Sequence, residues 1–154
     1  MRKRLSAIMG ELGIFVILTY PNNHIMIIKT TSAIPEITAG DDTLLKVILH
    51  PDNEPLPIGY SLAHARLKPG KVSYPHILKS TEVYYILEGE GMMHIDDETS
   101  MVYPGQSVFI PANSRQFIEN RGEGDLVFLC IVNPAWRSED EEVLPPHSQN
   151  RHSQ

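Results

Sequence analysis

Three side chains in the middle of this 154-residue chain could do chemistry together: His76, Glu82 and Gln116. An imidazole donates or accepts a hydrogen bond, a carboxylate accepts, and a primary amide offers two donors and one acceptor. Such a mixture suits the polar end of a small ligand held in an otherwise apolar cavity. It also suits proton transfer, with Glu82 or His76 as the base. A third reading is a polar trio that satisfies itself inside a core and binds nothing. Strand parity decides whether the three can meet. Side chains alternate faces along a strand, so an inward Glu82 brings Tyr84 and Ile86 inward, and an inward Gln116 brings Ile118 and Asn120. His76 and Leu78 share a parity. One cavity could therefore present His76, Glu82 and Gln116, with Leu78 and Tyr84 as its walls.

Other chemistries find no support in the chain. It has no catalytic triad, no phosphate-binding glycine loop and no dinucleotide fingerprint. Cys130 is the single cysteine and sits in the apolar run 126–132, so it reads as a small buried hydrophobe and not as a nucleophile. His64 alternates with Leu62 and Arg66, opposite the face shared by Ala63, Ala65 and Leu67, so it could lie on the outer face or at a subunit contact, with a ligand role the less favoured reading. His94 falls between Met93 and Ile95 and points away from them. His24 and His50 lie in or near loops, and His147 and His152 in the tail. Arg66, Arg115 and Glu119 read as solvated surface charges.

The elements that must position these residues are short strands. Strand character appears at 25–29, 44–49, 59–67, 82–87, 92–95, 107–110, 115–120 and 126–132. Between them lie breakers: Pro35 and Gly40-Asp41-Asp42, then Pro51, Pro55 and Pro57, then Lys68-Pro69-Gly70. Gly89-Glu90-Gly91 reads as the turn of a hairpin joining 82–87 to 92–95. Little helical periodicity and frequent Gly/Pro punctuation predict an all-β sandwich or barrel. The acidic segment from Ser138 reads as a solvated tail.

The framework of glycines and prolines around these strands resembles the cupin family. Gly70, His76, Glu82 and Gly89 match its first motif, and Gly105, Pro111 and Asn120 its second, with Asn113 where a glycine is usual. The resemblance covers about residues 44–136. It implies a double-stranded β-helix, a jelly-roll barrel, and it leaves function open. It also implies a ligand set. His76 takes the first metal-ligand position, Leu78 the second, Glu82 the glutamate position and Gln116 the third histidine position. Two of the three histidines are thus replaced. A divalent transition metal on His76, Glu82 and Gln116 is one expectation. A metal-free pocket is the other, because one imidazole, one carboxylate and one neutral amide make a poor set for such an ion.

Length fits one domain, read as an extension over 1–25, a barrel over 26–137 and a polar tail over 138–154. Hydrophobic residues are 42% and charged residues 21% of the chain, the balance of an ordinary globular protein. A net charge of -6 and the lack of a basic stripe argue against nucleic acid. Residues 1–20 have a basic start and an apolar run, the outline of a signal peptide. Glu11 interrupts the approach, no small-residue cleavage site follows, and the run is short of the roughly 20 residues that span a bilayer. With a lone cysteine, a reducing cytoplasm is the expected setting and no membrane is expected. The apolar N-terminal strands and the family's habit of pairing through its sheets predict a homodimer. The expected function is small-molecule binding. Alternatives are an isomerase or dioxygenase-like enzyme and a structural or partner-binding barrel.

Overall fold

A computed structural model describes residues 4–10, 13–19, 25–54 and 56–144. Among them no α-helix occurs. The strands are β1 (Arg4–Gly10), β2 (Gly13–Thr19), β3 (Ile25–Lys29), β4 (Ile37–Thr38), β5 (Leu44–Leu49), β6 (Ser61–Leu67), β7 (His76–Leu78), β8 (Thr81–Glu88), β9 (Gly91–Ile95), β10 (Glu98–Val102), β11 (Ser107–Ile110), β12 (Arg115–Asn120), β13 (Leu126–Asn133) and β14 (Glu141–Val143). Two sheets make the jelly-roll barrel, ordered β11-β8-β13-β6-β5-β4 and β10-β9-β12-β7-β14. A third, three-stranded sheet is β1-β2-β3.

The core lies between the two barrel sheets. Alternation on β8 buries Glu82, Tyr84 and Ile86, and alternation on β12 buries Gln116, Ile118 and Asn120, as the period-2 pattern predicts. On β7 both His76 and Leu78 are buried. Ile86, Ile110, Ile118, Leu126 and Phe128 fill the centre. Asn120 is part of this scaffold. Its side-chain amide donates to the carbonyls of Leu67 and Gly124, both at 2.8 Å, and its carbonyl accepts from Gly122 N–H. It thereby ties the β12–β13 connection to the end of β6. Asn113, at the position where the family pattern has a glycine, takes a left-handed φ of 65°, which asparagine tolerates better than most residues.

Four features differ from the sequence reading. Residues 82–87 and 92–95 are not a hairpin: β8 pairs with β11 and β13, while β9 pairs with β10 and β12. The chain crosses from one sheet to the other at Gly89, whose φ is +78° and where a Cβ would lie 2.6 Å from the Asp125 carbonyl oxygen. Second, β7 and β10 escape detection, because three residues cannot show alternation and Glu98-Thr99-Ser100 is polar on an edge strand. Third, the segment after Ser138 is not simply solvated. It makes a short 3-10 turn and then β14, which pairs with β7 through Glu141↔Leu78 and Val143↔His76. Backbone pairing overrides its acidic composition. Fourth, the strand at 25–29 joins β1 and β2 outside the barrel. Lys29 of β3 pairs with Glu54 in the loop after β5. His24, His147 and His152 lie outside the described residues, as do residues 145–154 of the tail.

Candidate functional site

A cavity of about 270 Å³ opens where β4, β5 and β6 of the larger sheet face β7 and β14 of the smaller. His76, Leu78, Glu82 and Tyr84 line it. The remainder of its wall is mostly apolar, from Leu45, Val47, Ala63, Phe128 and Val132. The Tyr84 and Phe128 rings pack with centroids 4.6 Å apart. Leu78 presents only hydrocarbon where the family pattern has an imidazole.

Gln116 stands elsewhere. It is 1% exposed, opposite His76 in the β12–β7 register, and it is not on the cavity wall. Its Nε2 donates to Glu82 Oε2 at 2.9 Å, and its own Oε1 is buried with no partner. Gln116 is therefore a support behind Glu82. The expected trio is only half formed, since His76 bonds to neither of the others.

His76 instead places Nδ1 3.1 Å from the Tyr74 carbonyl and 3.9 Å from Asp41 Oδ2. A carbonyl can only accept, so Nδ1 carries the proton, and in the neutral ring Nε2 carries a lone pair. Among the described residues Nε2 has no hydrogen-bond partner, and His76 lines the cavity. Asp41 is held in turn. Its carboxylate accepts from the Thr43 N–H and hydroxyl, and its carbonyl accepts from Tyr74 N–H at 2.7 Å. This loop fixes the approach to β7.

Glu82 is 5% exposed, and its acidity is far from ordinary. Burial pushes its carboxyl up to about 8, the Gln116 hydrogen bond pulls it partly back, and Asp41 and Glu141 push it further up. Glu82 thus holds a proton at neutral pH. With Oε2 accepting from Gln116, Oε1 is the oxygen left free to carry the proton. One acid and one lone-pair base therefore share a small apolar space. The same burial, with Glu82 and Asp41 nearby, pushes the Cys130 thiol well up, so it lines the cavity as an inert hydrophobe.

The lining residues that escaped sequence reasoning include Asp41, His50, Trp136 and Glu141. Asp52 N–H donates to His50 Nδ1, so His50 Nε2–H donates to the Trp136 carbonyl at 2.9 Å. Trp136 N–H donates to Ser61 Oγ, and its indole N–H donates to Glu141 Oε2 at 3.1 Å. The mouth is built from three segments far apart in sequence. The only available signals were an Asp followed two residues later by Thr, and a sole tryptophan just past the last core strand.

His94 is occupied by neighbours on its own sheet. His94 stacks on Phe117 at 4.0 Å and bonds Glu119 at 2.8 Å. Arg66 is more than a free surface charge, since it bridges Glu36 and Asp125. A transition metal is poorly served here. Leu78 supplies no donor, the Gln116 amide is turned to Glu82, and among the described residues no three His, Cys, Asp or Glu side chains cluster closely enough to hold an ion.

Comparison with known proteins agrees with this architecture. The Cupin domain family model matches residues 63–132. An uncharacterised protein of Methanocaldococcus jannaschii is 38% identical over 111 residues, 71% of this chain and 87% of the relative. An oxalate-binding protein of Thermotoga maritima is 37% identical over 51 residues, 33% of this chain and 42% of the relative. A Cupin 2 conserved barrel domain protein from Salinispora arenicola superposes with a TM-score of 0.61 at 15% identity, covering 76% of this chain and 92% of that one. With its motifs in register, its paired sheets and these relatives, the chain belongs to the cupin family.

Proposed function

We propose that this chain binds a small organic molecule in the barrel cavity, with the apolar wall enclosing its body and His76 and Glu82 meeting its polar end. One observation carries the reading. The cavity wall is mostly apolar, yet two buried polar residues, His76 and Glu82, line it, and neither His76 Nε2 nor Glu82 Oε1 has a hydrogen-bond partner among the described residues. Buried polar groups are otherwise satisfied. The incomplete donor set argues that no tightly held divalent ion is required. The role is sensing or sequestering the ligand.

A thermal-shift screen against metabolites and divalent metals tests this. A ligand at a hundred times its Kd stabilises the folded state by about 2.7 kcal/mol. The expected result is stabilisation by an organic compound that is lost in His76→Ala, with little gain from Zn or Ni. Stoichiometric transition metal in untagged protein, abolished by His76→Ala, would overturn it.

A catalytic reading rests on the elevated acidity constant of Glu82. An acid near 8 beside an imidazole lone pair can pass a proton through a bound substrate, as an isomerase requires. A cupin of this kind is also proposed to act as a homodimer in a reducing, cytoplasmic setting. Phe109, Tyr85 and Ile131 are exposed on the outer face of the larger sheet, a patch that a second copy would cover. Sedimentation showing only monomer at micromolar concentration would count against the dimer. A monomer indifferent to every metabolite would leave the structural or partner-binding role.

A further inference from the structure

Two carboxylates, Asp41 and Glu141, line the cavity beside the protonated Glu82, and no lysine or arginine does so among the described residues. A carboxylate cluster alone names no ligand, but the imidazole beside it adds an independent constraint. His76 is 3% exposed and lines the cavity, its Nδ1–H is used on the Tyr74 carbonyl, and Nε2 has no hydrogen-bond partner among the described residues, so the neutral ring offers its lone pair there. Glu141 likewise spends one oxygen on the Trp136 indole and leaves the other unpartnered. The polar groups held out to a ligand are thus weighted toward acceptors and negative charge.

Hydrogen-bond complementarity then fixes the visitor's chemistry. It must bring donors, and positive charge is favoured because a charge-assisted hydrogen bond is stronger than a neutral one. An anion would meet carboxylates with no basic side chain to offset them, so a dicarboxylate such as oxalate is a poor fit. A bare metal ion is also a poor fit, since the carboxylates and imidazole do not converge on one point. An organic cation tolerates that spacing, because its charge is carried on several N–H groups. The apolar wall of Leu45, Val47, Leu78 and Phe128, with Trp136 at the mouth, asks for a hydrocarbon body, and an aromatic face also favours a cation.

We propose that the cavity recognises the ammonium group of a small organic amine with an apolar body. This rests on the cavity being a ligand site, and it specifies the class of ligand.

The test is calorimetric titration of the full chain at pH 7 with three isosteres: 3-methylbutylammonium, 3-methylbutanol and 3-methylbutanoate. The amine is expected to bind at least about tenfold more tightly than the alcohol, with the carboxylate weakest. Glu141→Gln narrows the amine-to-alcohol ratio toward one. Where that variant fails to melt cooperatively, Asp41→Asn takes its place with the same expected narrowing. Equal binding of amine and alcohol overturns the inference while leaving the cavity a ligand site, and tighter binding of the carboxylate does the same. Competition of the amine by Mg²⁺ or Zn²⁺ alone at equimolar concentration also overturns it, since the charge would then serve an ion. Silence from all three probes overturns it too, and the metabolite screen then decides the underlying reading on its own.

Discussion

Glu82→Gln is the substitution that isolates the buried acid. Glutamine keeps the volume and can still accept from Gln116 Nε2 through its carbonyl, so it copies the protonated carboxyl. In the unfolded chain Glu82 ionises near 4.5, and in the folded protein near 8. Below 4.5 both states hold the proton and the group adds no pH dependence. Between 4.5 and 8 only the unfolded state releases it, so the folded state is progressively penalised as pH rises. Above 8 the penalty is complete. Each pH step costs about 1.4 kcal/mol, and the whole window comes to about 5 kcal/mol at most. With a urea slope of about 2 kcal/mol per molar, that is a midpoint difference of at most roughly 2.5 M. The assay is urea unfolding of wild type and variant at half-unit steps from pH 4 to 9. The two should run close together at pH 4, and the variant should be the more stable by several kcal/mol at pH 8.5. A difference that stays flat across the window refutes the reasoning. So does a wild type that gains on the variant with rising pH, which would mean a carboxylate stabilised in its charged form.

Leu78→His with Gln116→His supplies three imidazoles beside Glu82. The double variant should melt lower than wild type in chelator, because a buried imidazole replaces hydrocarbon, and gain markedly on adding Ni or Zn, while wild type gains little. Calorimetry that finds no metal on a folded double variant would mean the two side chains do not reach one point. Gly89→Ala should cost about 2 kcal/mol or more in chemical denaturation, because its φ of +78° and the 2.6 Å approach to the Asp125 carbonyl leave no room for a Cβ. A cost under half a kcal/mol would deny that the sheet crossing is tight there. Deleting residues 1–25 should leave a cooperative melt, since both barrel sheets begin at β4 or later. An insoluble product would show that the N-terminal strands are needed by the barrel.

Much of the barrel was legible in the residues themselves. Strand positions such as Leu44–Leu49, Ser107–Ile110 and Arg115–Asn120 follow from short runs with apolar and aromatic side chains set between turn residues. The inward facing of His76, Glu82 and Gln116 follows from the same period of two, because the pleat leaves each side chain only two faces to choose between. Partner choice was beyond that local signal. The residues at 89–91 look the same whether the chain folds back in one sheet or crosses to the other, and contact with Asp125 far along the chain decides it.

The site divides along the same line. Residue type and spacing determined that one imidazole and one carboxyl enter the barrel, and that the histidine positions at Leu78 and Gln116 are lost. Parity says which face a side chain takes but not its depth in the barrel. Only the tertiary structure set Gln116 behind Glu82 and brought Asp41, His50, Trp136 and Glu141 to the mouth. The protonation of Glu82 also belongs to the fold, because acidity responds to the loss of water and to nearby charge. Both arise from packing among segments that the sequence keeps dozens of residues apart.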